Sequence, residues 1–409
     1  MKLQELTRQT YQEELKKLTQ FSFMQTKEMS DFLDKQGYQT YHIGLCVNGK
    51  FPVIASLYSR QMFGGLRMEL YAGPIYKDPR YLNTFYKQLQ QFAKENNVLE
   101  LLVRPYDHFQ TFDKNGLPTS TPKHGHIKKL INLGFSHDGL SVGYGNDEAT
   151  WHFLKDLSQL NEQDLFKSYN KNGQRLVKKA RQAGVKIKKL ERHELTIFKE
   201  IQDSTAKRQN YDAKSLRYYE NLYDTFGDQI DFLTATICFK DYLAQLIDEQ
   251  KELQSQYQHL EELCYHKSSP KLLNKRQQLL KALEKKTVEQ EKIASYIEQF
   301  GDEEVALASN IVLYSTAEIT YLCGGFYTEY DFLAAPSLLQ DVTMREGLKR
   351  GIPIYNFLGI QGKFDGSDGV LRFKQNFNGY IVRKMGTFRY YPKPITFKTI
   401  QYIKKVLVR

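Results

Sequence analysis

One order of elements occurs twice in this chain, and it restricts the fold more than any other feature. In its first occurrence TYHIGLCV reads as a strand that ends at Asn48–Gly49, a dipeptide typical of two-residue hairpin turns. FPVIASLY returns from that turn, and RMELYAG follows the glycines Gly64 and Gly65 as a third strand. Gly73–Pro74 stops it, TFYKQLQQFAKENN has apolar residues at helical spacing, and VLELLVRPY is a buried-type strand. In the second occurrence the strands are IDFLTATICF, EVALASNIVLYS and EITYLCGG, the last two joined at Thr316–Ala317. Gly324–Gly325 then lead to the helix PSLLQDVTMREGLKRG and the strand IPIYNFLG. A hairpin feeding a strand–helix–strand crossover requires a mixed sheet with helices packed on it. The expected fold is α/β (α+β, mixed sheets), with one unit present in two copies.

The copies differ at one place. Where the first has Asn48–Gly49, the second has some sixty residues, 240–303, in which Leu243, Leu246, Leu253, Tyr257, Leu260 and Cys264 follow a heptad seam interrupted by Gln250. HKSSP (266–270) breaks this helix, and a second returns through Leu273, Leu280, Leu283 and Ile297. The insertion therefore reads as an antiparallel coiled-coil arm, its first helix about 23 residues long and reaching about 35 Å. The expected segments are 1–150 for the first unit, 151–239 with 304–382 for the second, 240–303 for the arm, and 383–409 as a basic terminal segment. Residues 1–37 read as helical, with Ser30 capping DFLDKQG and Gly37 ending it.

Charge is concentrated. Residues 167–192 carry ten Lys/Arg against the single acid Glu191, and residues 372–409 carry ten with no acid. These segments hold +9 and +10 of a chain whose net charge is +11, so the remainder is acidic. Two such patches point to a polyanion such as RNA, an anionic membrane surface or substrate phosphates, with solvated helix faces as the plain alternative. Within the first patch, KKARQAG places Leu176, Ala180 and Ala183 on one side and Lys178, Lys179 and Arg181 on the other, with Lys186, Lys188 and Lys189 following. The closing ITFKTIQYIKKVLVR is a basic amphipathic helix suited to a membrane surface or to packing on the first unit. No run of about 18 apolar residues occurs, and the charged N-terminus lacks the apolar core of a secretory signal, so a cytoplasmic location is expected. Cys46, Cys238, Cys264 and Cys323 are widely spaced, which points to reduced, buried thiols. His124 and His126 have no neighbouring Cys or carboxylate to complete a metal site, and none is expected. No Ser/His/Asp or Cys/His constellation, Walker loop or dinucleotide glycine fingerprint is present.

The stretch 353–380, PIYNFLGIQGKFDGSDGVLRFKQNFNGY, combines a strand ending at Gly359, a glycine-rich loop, and Lys374 between Phe373 and Phe377. Glycines beside an aromatic-flanked cation suit close approach of backbone to a ligand. A solvated lysine on a loose hairpin is the competing reading.

Taken with the arm, the paired strand–Gly–helix units, TAKRQNY (205–211) and KKARQAG, the stretch IPIYNFLGIQG…GVLRFKQNFNGY resembles the Fem/Mur aminoacyltransferases of peptidoglycan interpeptide bridges, over essentially the whole chain. It is most similar to those members that add the second residue of a dipeptide branch. The resemblance implies two acetyltransferase-like subdomains plus the arm. It implies an aminoacyl-tRNA, most simply alanyl-tRNA, as donor and a lipid-linked peptidoglycan precursor as acceptor. It also implies no cofactor, a monomer, and peripheral association with the inner face of the membrane. Carried over residue by residue, the family's lysine falls on Lys374, beside Phe373, where an ammonium would stabilise an oxyanion. Its phosphate-gripping arginine falls on Arg208, near Tyr211. An acid after the first unit's last strand falls on Asp107, as base or substrate anchor or as a turn cap. The N-terminal phosphate lysine does not map cleanly: Leu33 occupies its register, and Lys35 stands two positions on. Lys178, Lys179 and Arg181 would face tRNA phosphates. The alternatives are a first-residue transferase of the same family, a coenzyme A-dependent N-acyltransferase, and a non-catalytic RNA- or membrane-binding coiled-coil protein. Against the second, no Q-x-x-G-x-[GA] loop precedes a helix.

Overall fold

The computed structural model describes residues 1–144, 149–266 and 269–407. Its first strands are β1 (Lys2–Glu5), β2 (Gln39–Val47), β3 (Lys50–Met62), β4 (Gly65–Tyr71), β5 (Ile75–Tyr76), β6 (Val98–Arg104), β7 (His108–Asp113) and β8 (Ser136–His137). The rest are β9 (Trp151–Asp156), β10 (Lys186–Lys189), β11 (Ile230–Cys238), β12 (Glu304–Tyr314), β13 (Ile319–Phe326), β14 (Ile354–Ile360), β15 (Tyr380–Lys384) and β16 (Phe388–Tyr390). They form two eight-stranded sheets, ordered β1-β2-β3-β4-β6-β16-β8, with β5 on β3, and β10-β11-β12-β13-β14-β9-β15-β7.

The repeated unit is present in both sheets. β2, β3 and β4 are antiparallel, the helix Leu82–Glu95 crosses over, and β6 lies parallel to β4. β11, β12 and β13 repeat this, with the helix Ala335–Lys349 crossing to β14, parallel to β13. The first hairpin is tight because Asn48 and Gly49 both take positive φ, the geometry that a right-twisted two-residue turn demands. The copies then diverge. β4 and β6 stay paired from Leu66 to Tyr71, whereas β13 and β14 pair only at Ile319–Tyr355 and Thr320–Asn356 before separating.

The two sheets exchange strands. β7, from the N-terminal part, pairs with β15 in the second sheet, and β16, near the C-terminus, lies between β6 and β8 in the first. The helix Pro394–Leu407 follows β16 and seats Ile400 on Gly64, where any added Cβ would collide with it. Each sheet has its own apolar core, one around Leu45, Leu57, Leu89 and Val103 and the other around Phe153, Val312, Tyr355 and Phe377.

Several local expectations are corrected. The first 37 residues are not all helix: Lys2–Glu5 pairs with β2, and the helix Lys27–Lys35 is capped by Thr26. Ser30 lies inside that helix, where its hydroxyl meets Ser56 Oγ at 2.9 Å. Lys186–Lys189 is a strand beside β11. The arm helices, Phe239–His266 and Pro270–Phe300, have 28 and 31 residues, and the first spans about 42 Å at 1.5 Å per residue. The seam on the first helix holds, with Leu246 and Leu260 buried. On the second, Leu273 and Leu280 face outward, and the packed positions are Leu272, Leu279, Leu283 and Ile293. Ser269 caps this helix and sets its start. Residues 267 and 268 of the breaker HKSSP lie outside the described residues. The four cysteines are free but half-buried.

Candidate active site

A cavity of about 1380 Å³ reaches from Tyr71, at the end of β4, and Tyr106, between β6 and β7, into the gap where β13 and β14 part. β14 continues past the expected stop at Gly359 to Ile360, but its pairing with β9 is irregular between Asn356 and Gly359. Leu358 there takes φ +57°, and Asn356 Oδ1 accepts the Leu358 N–H at 2.9 Å. A bulge of this kind re-aims backbone groups. The glycine-rich loop then ends in the short helix Gly369–Gln375, where a loose hairpin was the competing expectation. Buried Asp368 caps it, accepting from Val370 N and Leu371 N at 2.9 and 3.0 Å and from Gln361 N at 2.8 Å.

Lys374 lies in the last turn of that helix and is buried, not solvated. Its ammonium donates to Gly359 O at 2.6 Å and Leu358 O at 3.2 Å, the two carbonyls at the bulge. Burial pushes its pKa down to about 7, partly opposed by Asp368. A lysine at that value changes charge near neutral pH.

Glu318, which sequence reasoning did not single out, lines the same cavity. Its carboxylate accepts from Tyr106 Oη at 3.1 Å and Asn356 Nδ2 at 3.3 Å. Burial raises its pKa, while Lys384 and these hydrogen bonds act in the opposite direction. Asn356 bonds both Glu318 and the bulge backbone, so a chain of hydrogen bonds runs from Glu318 through Asn356 and Leu358 to Lys374. An available signal was an acid at the start of a buried strand directly after a turn. His152 also lines the cavity, and burial lowers its pKa to about 3, with Lys384 adding to the effect.

Arg208 and Tyr211 line the cavity too. Arg208 Nη1 donates to Phe326 O at 3.0 Å, and its guanidinium lies 4.6 Å from the Phe326 ring centroid. Phe373 is at the cavity wall. Asp107 and Lys35 are elsewhere. Asp107 accepts from Tyr76 Oη at 2.7 Å outside the cavity lining, and Lys35 bonds Thr225 Oγ1 at 2.8 Å in a separate shallow groove beside Asp224.

The basic segment divides in two. Lys186, Lys188, Lys189 and Arg192 pair with Glu304, Glu194, Asp231 and Asp224, so four of its ten cations are neutralised in place. Arg181 pairs with buried Asp341, which also holds Arg345, and is thereby committed to packing. Lys178 is exposed and Lys179 half-buried, and among the described residues neither has an ion-pair partner. Their helix, Lys171–Gln182, sends Leu176 into the cavity wall. Among the described residues no group of three His, Cys, Asp or Glu could hold a metal, and no helix is long and apolar enough to cross a membrane.

Comparison with known proteins agrees with this architecture. The chain is 25% identical over 423 residues to the aminoacyltransferase FemA of Staphylococcus epidermidis, covering 99% of this chain and 100% of that protein. It is 26% identical over 379 residues to FemA of Staphylococcus aureus, covering 90% and 89% of the two chains. The crystal structure of FemX superposes with a TM-score of 0.74 at 18% identity, over 97% of this chain and 98% of that one, which shows a shared fold. The family described as FemAB matches residues 6–405, and the chain belongs to that family.

Proposed function

We propose that the chain is an aminoacyltransferase that builds the interpeptide bridge of peptidoglycan. It takes an amino acid, most simply alanine as the second branch residue, from an aminoacyl-tRNA and adds it on the lysine side of the stem peptide of a lipid-linked precursor. The observation that supports this best is the buried pair at the parting of β13 and β14: Lys374 on two carbonyls and Glu318 connected to it through Asn356. Attack of the acceptor amine on the ester carbonyl forms a C–N bond and places negative charge on the carbonyl oxygen. An ammonium has three N–H groups. Two of Lys374's are held by Leu358 O and Gly359 O, leaving one for that oxyanion. Glu318, whose pKa burial raises, takes the proton from the attacking amine. The C–O bond to the ribose then breaks, and the terminal hydroxyl of the tRNA leaves with a proton. The ester is already activated, so positioning supplies much of the rate and no cofactor is required.

Arg208, with Tyr211 beside it, and Phe373 hold the acceptor's phosphate and peptide portions. Lys178 and Lys179 face the tRNA backbone. Asp107 orders Tyr76, and Lys35, bonded to Thr225 away from the cavity, takes no part in the transfer. The enzyme works as a monomer at the inner face of the membrane. There the exposed Ile395, Tyr402 and Ile403 of the terminal helix, with Lys398 and Lys404 among them and Phe63 beside Gly64, suit an anionic lipid surface. Transfer of labelled alanine, serine and glycine from their tRNAs onto lipid-linked precursors, with and without a first branch residue, tests the proposal. Alanine on the singly branched precursor is the expected product, and no transfer of any of the three would overturn the proposal.

A further inference from the structure

Asn310, on β12, lies opposite Gly324 of β13, is 1% exposed and lines the cavity. Among the described residues, neither its amide nitrogen nor its carbonyl oxygen has a hydrogen-bond partner. A carboxamide buried with both a donor and an acceptor unused is rare in a folded chain and requires an explanation. Gly324, lacking a Cβ, makes room for the Tyr321 hydroxyl, which sets the Tyr321 side chain beside Asn310 at the cavity wall.

The face of the sheet on which Asn310 sits can be assigned. Along β12, Ala308 and Val312 pack with Leu338, Val177 and Ala180, from the helices Ala335–Lys349 and Lys171–Gln182. Ile311 and Leu313 pack with Phe198 on the opposite face. By alternation Asn310 shares a face with the basic helix, while Ser309 faces the helix Leu195–Gln209, which bears Arg208. The cavity on Asn310's side is also walled by Leu176 of the basic helix and by Val370 and Phe373. A ligand that enters past Leu176, with its polyanionic body along the basic helix, meets Asn310 at the cavity wall.

We infer that Asn310 reads the base edge of the donor's 3′-terminal nucleoside, an adenosine in every tRNA, an inference that rests on tRNA being the donor. The carboxamide accepts from the exocyclic amine and donates to the adjacent ring nitrogen, the bidentate pairing that asparagine makes with adenine. Unstacked ends of single-stranded RNA are recognised in this way, beside an aromatic wall such as Tyr321.

The test uses two alanyl-tRNAs, one ending in adenosine and one in purine riboside, which lacks the exocyclic amine. Wild type should show a KM roughly 10-fold or more higher for the second. Asn310→Ala should raise KM for the adenosine donor by a similar factor and reduce the discrimination to about 1, with kcat and the KM for the acceptor near wild type. Ser309→Ala, on the opposite face, should keep the discrimination. Equal use of both donors by wild type overturns the inference without needing a variant. So does discrimination that persists in Asn310→Ala, or a change confined to the KM for the acceptor, which would make the occupant a peptide. No transfer from either donor overturns the proposed function itself, and the inference with it.

Discussion

Lys374→Met should change the pH dependence of stability in a calculable way. An amine whose folded pKa lies below its unfolded value weakens the fold wherever it must be charged. For Lys374 those values are about 7 and 10.5. The penalty is full below pH 7, shrinks as pH rises from 7 towards 10.5, and is gone above that. At about 1.4 kcal/mol per unit the gap corresponds to roughly 5 kcal/mol. Methionine removes the charge, but it also strips the Gly359 and Leu358 carbonyls of their donor, a loss of about 1–3 kcal/mol that does not vary with pH. The absolute difference between wild type and variant is therefore a balance, whereas its slope is not. From pH 6 to pH 9 wild type should gain roughly 3 kcal/mol relative to Lys374→Met. Urea unfolding followed by fluorescence suits the measurement, because Trp151 is the chain's one tryptophan and lies on β9, paired to both β14 and β15. A difference that stays constant between pH 6 and pH 9 would refute the claim that this lysine is held with a depressed pKa.

Three further outcomes are expected. Glu318→Gln keeps the shape and the hydrogen bond from Tyr106, and should lower kcat on the order of 100-fold with little change in either KM, as steady-state kinetics would record. Lys178→Glu with Lys179→Glu should weaken tRNA binding and flatten the slope of log affinity against log salt by about 2, measured by filter binding at several salt concentrations; an unchanged slope would remove these lysines from the tRNA surface. Asp341→Ala removes the acidic partner of Arg181, one of the two of Arg345, and the acceptor of Tyr169 Oη at 3.0 Å, so it should cost about 3–5 kcal/mol in denaturant unfolding.

The repeated unit was legible because alternation, hairpin turns and helical spacing are local, and they recur at matching intervals in both copies. The arm was legible for the same reason, apart from the packed face of its second helix, where Leu273 and Leu280 turn outward. Exchange of β7 and β16 between sheets was not legible, since nothing in a short strand names its partner. The site followed the same division. Lys374 stood out through its aromatic and glycine neighbours, but its burial depends on carbonyls re-aimed by a bulge at Leu358, a residue with no sequence mark of left-handed backbone. Glu318 and Asn310 went unnoticed because a single polar residue in an apolar strand reads as an edge or a turn. Only the parting of β13 from β14 shows that both face a cavity. Counted charge likewise overstated the free basic surface, because acids distant in sequence neutralise Lys186, Lys188, Lys189 and Arg192.

In the proposed reaction this cavity joins an amino acid from tRNA to a precursor amine, with Lys374 at the reacting carbonyl. Single-turnover transfer from labelled alanyl-tRNA to a lipid-linked precursor, run with wild type and Lys374→Ala side by side, tests it most directly. Wild type should place label in a new amide bond, and the variant should do so at a rate lower by about 100-fold or more at unchanged affinity for both substrates. Transfer by Lys374→Ala at the wild-type rate, or none by wild type while it binds both substrates, would contradict it.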